Sequence, residues 1–214
     1  MKGTFITFEG IEGSGKSTQI ALLANYLTAR GVRHVLTREP GGTLIGDQVR
    51  KILLDPANRS LDPAAELLLY AASRAQHLRE IIMPALADGT NVLCDRFSDA
   101  TLAYQGYGRG LDIEMIRSLD RIVTAGMRPD LTLLFDIEAV SGIARARGRN
   151  NSCGLEAEAR FENEEIAFHE RVRQGYLTLV AQEPERIRVV NASSSPEVIQ
   201  AKVRKIVDER LRIG

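Results

Sequence analysis

The chain alternates between short apolar runs and longer segments in which apolar residues recur every three or four positions. The short runs span residues 4–9, 34–37, 91–95, 131–136 and 187–191. Their length and β-branched content are typical of buried strands, whereas the longer segments have the spacing of amphipathic helices. This alternation predicts an α/β fold, namely a doubly wound five-stranded parallel sheet flanked by helices.

Signals for helix ends and loops divide the rest of the chain. The longest helical pattern begins after Asp62, a favourable N-cap, and continues to Leu86 with a kink expected at Pro84. Residues 148–158 are rich in Asn, Ser and Gly, which predicts an irregular, mobile loop. We therefore expect one domain over residues 1–214, with a mobile lid segment at about residues 145–160.

Composition and charge exclude several classes of protein. Lys plus Arg equals Asp plus Glu at 28 each, so no net charge attracts nucleic acid or a membrane surface. The apolar runs are far shorter than the roughly 20 residues of a membrane span, and the first residues do not resemble a signal peptide. Two cysteines and three scattered histidines form neither a disulfide framework nor a zinc site, so we expect the histidines at the surface or in packing. These features predict a cytoplasmic protein with no nucleic-acid or membrane partner.

The segment GIEGSGKST at residues 10–18 has the spacing of a phosphate-binding loop, or P-loop. In such a loop the backbone N–H groups form an anion nest, and glycine lets phosphate oxygens approach closely. Lys16 would reach the β- and γ-phosphates, and the Ser17 hydroxyl would bind Mg²⁺. An ordinary glycine turn is the alternative, but a strand before the loop and a helix after it favour nucleotide binding. The predicted ATP-binding residues of the loop are Gly10, Ile11, Glu12, Gly13, Ser14, Gly15, Lys16, Ser17 and Thr18.

Charged residues at strand ends predict a second phosphate site. Asp95 ends the third strand, where P-loop proteins place a carboxylate that holds Mg²⁺; Asp136 has the same pattern, with a solvated acid as an equal alternative. Arg38 and Arg96 follow the second and third strands, and Arg74 lies on the long helix. Because arginine forks match phosphate oxygens, these three predict phosphoryl transfer between two phosphates, unless each is a surface arginine. An acceptor phosphate is already ionised at neutral pH, so this transfer needs no general base.

A third basic cluster surrounds the predicted loop and consists of Arg145, Arg147, Arg149 and Arg160. These arginines would close over the nucleotide as a lid and neutralise charge in the transition state. The alternative is a solvated basic face that pairs with the neighbouring glutamates. Those glutamates are Glu156, Glu158, Glu162, Glu164 and Glu165.

Seven segments together make the chain resemble the bacterial thymidylate kinases, which are P-loop nucleoside monophosphate kinases. They are FEGIEGSGKST (8–18), TREPGGT (37–43), YAASRAQH (70–77), CDRF (94–97), TLAYQGYGRG (101–110), RPDLTLLFD (128–136) and ARFENE (159–164). The resemblance covers nearly the whole chain and implies a P-loop kinase fold and a homodimer. It also implies a transferase that moves the γ-phosphoryl group of Mg-ATP to dTMP, giving dTDP and ADP.

The alternative function is a P-loop ATPase or switch protein without a monophosphate acceptor. A GTP-binding switch normally has an N/T-K-x-D segment that reads the base, and the chain has none. An ATPase would not need the REPGGT or AYQG segments. A nucleotide-binding module without catalysis is disfavoured because Lys16, Ser17, Asp95 and Arg96 are all present.

The resemblance implies eight residues that bind dTMP. They are Glu12, Arg38, Tyr70, Arg74, Arg96, Thr101, Tyr104 and Gln105. The three arginines would surround the phosphate, and Tyr70 would stack on thymine. Arg74, Thr101 and Gln105 would read the polar edge of the base. Glu12 and Tyr104 would face the sugar, with the Glu12 carboxylate near the 3′-hydroxyl and the Tyr104 phenol crowding the 2′ position.

The resemblance also implies which residues are catalytic. Some relatives have a catalytic arginine where this chain has Gly13, so the charge would come from the lid instead. The implied catalytic residues are Lys16, Arg96, Glu12, Arg149 and Arg160. Arg145 would contact ATP, and Ala159 stands where the family commonly has an aspartate.

Overall fold

The computed structural model describes residues 2–153 and 160–213, and for residues 149–153 it describes the backbone alone. Five parallel strands form one sheet in the order β2-β3-β1-β4-β5. The strands are β1 (Phe5–Glu9), β2 (His34–Arg38), β3 (Asn91–Asp95), β4 (Leu131–Asp136) and β5 (Ile187–Asn191). The predicted parallel α/β sheet is therefore confirmed.

Helices connect the strands and cover the sheet. They are α1 (Lys16–Ala29), α2 (Leu44–Leu54), α3 (Pro63–His77), α4 (Met83–Ala87), α5 (Ser98–Thr101), α6 (Ile113–Thr124), α7 (Ala139–Cys153), α8 (Ile166–Gln182) and α9 (Pro196–Leu211). Two π-helical segments, π1 (Leu78–Ile82) and π2 (Leu102–Gly108), follow α3 and α5 directly. Within residues 2–153 and 160–213, none of these helices is both long and apolar enough to cross a membrane.

The central strand β1 fixes the position of the phosphate-binding loop. All five of its residues are buried, because a parallel sheet is covered on both faces. Residues 10–15 leave the C-terminal end of this strand and lead into α1. In a doubly wound sheet the strand order reverses near such a central strand, and the crevice formed there is the usual place for a ligand.

Side-chain caps explain where several helices begin. Asp62 accepts a hydrogen bond from the backbone N–H of Ala64 at 2.8 Å, as expected for the N-cap of α3. Thr43 caps α2 in the same way through the N–H of Gly46 at 2.9 Å. After α1 the chain turns at Gly31, whose φ of 67° is in the left-handed region that favours glycine.

Two helical segments differ from the sequence prediction. Helix α7 continues to Cys153, although residues 148–158 were predicted to be irregular. Asn, Ser and Gly each cost a helix about 1 kcal/mol or less, and an established helix propagates through such residues. Before Pro84, where a kink was predicted, the helical hydrogen bonding widens into π1 and Pro84 stands in the first turn of α4. A proline fits this place because it lacks the N–H for a normal helical bond and its ring crowds the preceding turn.

Candidate active site

A cavity of about 720 Å³ lies where β1, β2 and β3 end. All eight residues predicted to bind the acceptor line it, namely Glu12, Arg38, Tyr70, Arg74, Arg96, Thr101, Tyr104 and Gln105. Lys16, Ser17 and Asp95 line the same cavity, so the phosphate-binding loop and the three arginines face one space. Seven other predicted site residues do not line it: Gly10, Ile11, Ser14, Gly15, Thr18, Arg145 and Arg160.

The loop needs glycine for its backbone and for its packing. Gly10, Gly13 and Gly15 have φ values of 137°, 69° and 84°, all in the region that favours glycine. A Cβ atom added at Gly13 would lie 1.9 Å from the carbonyl oxygen of Gly142 on α7. An arginine at this position would therefore require α7 to move away from the loop.

The ammonium group of Lys16 lies inside the loop. Its Nζ donates hydrogen bonds to the carbonyl oxygens of Gly10 at 2.8 Å and Ile11 at 2.9 Å, and to Ser14 Oγ at 3.2 Å. Burial disfavours the charged form, and nearby Arg96 disfavours it further, so the pKa of Lys16 falls to about 8. A nucleotide phosphate would favour the charged form and would compete with the loop for this cation.

Ser17 and Asp95 fit a magnesium ion. The hydroxyl of Ser17 donates to Asp95 Oδ2 at 3.1 Å, which brings two hard oxygen ligands together at the end of the loop. Within the described part of the chain, no three His, Cys, Asp or Glu residues converge to form a complete cage. Mg²⁺ commonly binds through one or two protein oxygens together with phosphates and water, and this pair has that character.

Arg74 is held by three partners from separate parts of the chain. It is only 3% exposed. Its guanidinium donates to Glu39 at 2.8 Å, Asp120 at 3.3 Å and Thr101 at 2.8 Å. Burial opposes its charge, but Glu39 and Asp120 outweigh this effect and raise the pKa of Arg74. Its orientation is therefore fixed before any ligand arrives.

Arg96 lies at the centre of a second network. It follows β3 with a φ of 71°, an uncommon backbone conformation for a residue with a side chain. Its guanidinium donates to Glu12 Oε1 at 2.9 Å and to the phenol oxygen of Tyr176 at 3.2 Å, and it stacks over the ring of Tyr104. Arg38 differs because it is 55% exposed, with Asp47 as a distant partner at 3.7 Å.

Two buried carboxyl groups flank Arg96 and have opposite pKa shifts. Burial favours the neutral form of Glu12, but Arg96, His169 and Lys16 outweigh it and hold the pKa well below its usual range. Glu9 is completely buried, and burial raises its pKa to about 8. It accepts hydrogen bonds from the N–H of Phe97 and the hydroxyl of Tyr176, both at 2.7 Å. Glu9 therefore supports the turn that carries Arg96.

Glu66 organises the other end of the predicted acceptor site. It is completely buried on α3 and accepts a hydrogen bond from Gln105 Nε2 at 2.7 Å. Arg109 pairs with the same carboxylate at 3.4 Å, and Arg160 donates to it as well. Burial also raises the pKa of nearby Tyr70, so its phenol stays neutral.

The predicted lid arginines have different surroundings. Arg145 donates to the carbonyl of Ala192, after β5, at 3.0 Å, and Arg147 donates to the carbonyl of Glu162 at 3.1 Å. Arg160 is 5% exposed and donates to the carbonyl of Leu53 as well as to Glu66. The side chain of Arg149 and residues 156, 158 and 159 lie outside the described residues.

Asp136 has a structural partner. Arg173 on α8 holds both of its carboxylate oxygens, at 2.7 and 2.9 Å. From the sequence, a functional role and a solvated surface position were equally favoured for this strand-end acid. The observed bidentate pair is a third arrangement, in which Asp136 ties β4 to α8.

Several residues around the site were not predicted from the sequence. Three are the buried glutamates Glu9, Glu39 and Glu66, and two are the histidines His77 and His169. The position of Glu9 at a strand end was an available signal, since Asp95 was singled out on that ground. The other four depend on partners far along the chain, for example His77 Nδ1 with Glu39 Oε1 at 3.0 Å. The histidines are indeed packing residues, but they pack against carboxylates of the site.

Comparisons with known proteins agree over nearly the whole chain. A family model described as thymidylate kinase matches residues 8–203. A thymidylate kinase from Trichlorobacter lovleyi is 56% identical over 209 residues, which cover 98% of this chain and 99% of the relative. A thymidylate kinase from Desulfovibrio desulfuricans is 54% identical over 209 residues, covering 97% and 96% respectively.

A solved structure resembles the fold as well. The crystal structure of thymidylate kinase from Ehrlichia chaffeensis superimposes with a TM-score of 0.77 at 37% sequence identity. The match covers 97% of this chain and 99% of the crystallised one. The similarity therefore extends through the sheet, the loop after β1 and the surrounding helices.

Proposed function

The chain belongs to the thymidylate kinase family, and from this premise we propose how its residues divide the work of phosphorylating dTMP. The enzyme transfers the γ-phosphoryl group of ATP to dTMP and releases dTDP and ADP. One observation carries the proposal: a single cavity of about 720 Å³ is lined by Lys16 of the P-loop and by three arginines. A hydrolase or switch needs only the first of these phosphate sites.

The P-loop binds ATP in this proposal. Its N–H groups, in a backbone that three glycines allow, surround the β- and γ-phosphates, and the dipole of α1 adds positive potential. Lys16 exchanges the carbonyls of Gly10 and Ile11 for phosphate oxygens, which favour its charged form. Arg145, whose guanidinium donates to the carbonyl of Ala192 just after β5, contacts ATP in this proposal.

In this proposal Ser17 and Asp95 would hold Mg²⁺. Their contact of 3.1 Å supports this role, since a hydroxyl and a carboxylate are oxygen ligands of the kind that Mg²⁺ prefers. A bound ion would supply positive charge to the phosphate oxygens. Replacement of Asp95 by Asn would weaken this site without changing its size.

Three arginines position the acceptor phosphate. Arg74 and Arg96 are already oriented by Glu39 and Glu12, so little side-chain entropy is lost when the phosphate binds. Arg38 is more exposed and closes on the phosphate from the rim of the cavity. A phosphate with a second pKa near 6 is ionised at neutral pH, and positioning with charge neutralisation then supplies most of the catalysis.

The thymine and the sugar face separate walls. Tyr70 stacks on the base, while Thr101 and Gln105 meet its polar edge. Glu66 engages the amide nitrogen of Gln105, so the amide oxygen is the atom that accepts from thymine N3–H. The hydroxyl of Tyr104 donates to Glu12 at 2.6 Å, and this pair forms the wall for the deoxyribose.

The charge that a P-loop arginine supplies in some relatives comes from the lid in this chain. Gly13 leaves no room for such an arginine beside Gly142. We assign the role to Arg149 and Arg160. For Arg160 this requires exchange of Leu53 and Glu66 for a phosphate, which is a conformational step of the kind that lids perform.

We also propose a homodimer that acts in the cytoplasm, where ATP and deoxynucleotides are available. Of the ten large hydrophobic side chains that are exposed in the described part of the chain, six lie on α2, α3 and α6. They are Leu44, Ile45, Ile52, Leu68, Met115 and Ile122. Helix α3 contacts both of the other two helices, and we propose that a second copy covers the exposed apolar side chains of these three neighbouring helices.

The first experiment is a coupled assay of ADP release with Mg-ATP and dTMP, dUMP, UMP, CMP, AMP or GMP as acceptor. We expect turnover with dTMP and a loss of at least about 100-fold in Lys16→Ala, because the γ-phosphate loses its cation. Lys205→Ala, at an exposed lysine, should behave as the wild type. Turnover with a different monophosphate would overturn the base assignment, and ADP release that ignores every acceptor would overturn the kinase itself.

A further inference from the structure

Glu12 is held firmly at only one of its two carboxylate oxygens. Oε1 accepts hydrogen bonds from Arg96 at 2.9 Å and from Tyr104 at 2.6 Å. Oε2 is buried and has no hydrogen-bond partner among the described residues. A buried carboxylate oxygen without a donor is costly, so this atom requires an explanation.

The group that faces Oε2 is a buried histidine on α8. His169 Nδ1 lies 3.4 Å from Glu12 Oε2, and the ring is completely buried. Both ring nitrogens also lack hydrogen-bond partners among residues 2–153 and 160–213. An acceptor and a possible donor that both lack partners therefore face each other at slightly more than a normal hydrogen-bond length.

We propose that His169 is a positioning residue that acts through Glu12 on the acceptor nucleotide. Its Nδ1–H donates to Oε2, the oxygen that Tyr104 does not bond, and so fixes the carboxylate at both oxygens. The inference rests on the proposed function, in which Glu12 faces the sugar of dTMP. It adds a residue on α8 that the sequence motifs of the site do not include.

The shared role of Arg96 explains why a third donor is needed. Arg96 is bonded to Glu12 and Tyr176, but it also has to grip the acceptor phosphate. When its guanidinium also bonds that phosphate, its donors are shared and its hydrogen bond to Glu12 weakens. His169 and Tyr104 then keep the carboxylate in place, so Glu12 can hold the sugar while Arg96 holds the phosphate.

Three substitutions separate this role from simple packing. His169→Phe keeps an aromatic ring beside Phe168 but has no donor. His169→Asn places an amide nitrogen near the position of Nδ1, whereas His169→Gln places it near Nε2. We expect Phe and Gln to weaken dTMP binding about 10-fold and Asn to restore it within about twofold, with ATP affinity unchanged in all three.

Calorimetric Kd values for dTMP and ATP test these expectations and remain measurable in catalytically weak variants. The same substitutions in a Glu12→Ala background form a double-mutant cycle. In the Glu12→Ala background, His169→Phe should change the Kd for dTMP by less than about twofold, because the carboxylate through which His169 acts on dTMP is absent. An equal loss in both backgrounds, or an unchanged Kd in His169→Phe, would refute the proposal.

The Asn and Gln pair keeps the test valid if the Phe variant does not fold. Equal dTMP affinities in Asn and Gln variants would also refute a specific role for Nδ1. A failure of the proposed function looks different, since the wild-type enzyme would then fail to phosphorylate dTMP. If His169 had a purely structural role, its substitutions would lower the melting temperature and would weaken the binding of dTMP and ATP to a similar extent.

Discussion

Glu9 shows how a residue can serve the site without facing it. It is completely buried at the end of β1 and holds the N–H of Phe97, which directly follows Arg96. Burial favours its protonated form, which is reflected in a pKa of about 8. The fold therefore retains a proton on this carboxyl group that the unfolded chain releases near pH 4.5.

The retained proton should make the stability of the enzyme depend on pH. Between about pH 4.5 and 8 the unfolded state loses the proton and the native state keeps it, so the free energy of unfolding falls as pH rises. The slope from this group is at most about 1.4 kcal/mol per pH unit. Glu9→Gln keeps an oxygen for the N–H of Phe97 but does not titrate. The free energy of unfolding of the wild type, minus that of the variant, should therefore decrease as the pH rises from about 4.5 to 8.

Urea unfolding at pH 5, 6.5 and 8 measures that difference. Glu170→Gln, at an exposed carboxyl group, serves as the control and should follow the wild type at each pH. A constant difference between wild type and Glu9→Gln would mean that Glu9 ionises in the fold as it does in the unfolded chain.

Whether a site residue could be predicted depended on how far along the sequence its partners lie. The loop glycines, Lys16 and the three arginines were predicted because their roles follow from local motifs and strand ends. Glu39 and Glu66 were not, because each acquires its role from an arginine 35 or 94 positions away. A buried carboxylate and a surface glutamate look alike in sequence until the fold supplies the partner.

Helix α7 and the P-loop form a close contact at the level of elements. A Cβ added at Gly142 of α7 would lie 2.7 Å from the carbonyl oxygen of Glu12 and 2.9 Å from Ile11 Cδ1. The backbones of the two elements thus touch, with glycine on both sides of the contact at Gly13 and Gly142. The shape of the proposed ATP site therefore depends on this approach.

Two alanine substitutions in α7 test that dependence. Gly142→Ala should force the loop away from the helix, lower the melting temperature and weaken ATP binding about 10-fold, because overpacking costs about 1–3 kcal/mol. Gly148→Ala is the matched control, since its added Cβ meets nothing within 4 Å. It should stabilise the helix by up to about 1 kcal/mol. Similar melting temperatures and ATP affinities in the two variants would show that the contact does not shape the loop.

The elements themselves were mostly predictable from the sequence. Strand runs such as 91–95 and 131–136 match β3 and β4, since a buried parallel strand leaves a continuous apolar signature. The π-helical segment π2 was not predicted because no characteristic residue pattern distinguishes a π-helix from an α-helix in sequence. The end of α7 was misplaced because weak helix formers interrupt a helix only when other contacts favour the interruption.

At the scale of the whole molecule, the apolar surface on α2, α3 and α6 predicts self-association. Ile122 is 79% exposed near the end of α6, and Ile122→Glu should produce a monomer, because burial of an unpaired charge in an interface is unfavourable. Val198→Glu on α9, at a residue that is 61% exposed, is the matched control and should remain dimeric. Light scattering after gel filtration gives the mass. A wild-type mass equal to one chain would remove the homodimer from the proposal.

The backbone of Arg96 has a consequence for how this enzyme can change over time. Its left-handed φ of 71° costs of order 1 kcal/mol for a residue with a side chain, and glycine would relieve that cost. Glycine would also remove the guanidinium that joins Glu12, Tyr176 and the proposed acceptor phosphate. Selection for stability therefore favours glycine at position 96, whereas selection for activity favours arginine. The presence of arginine indicates that activity has outweighed stability at this position.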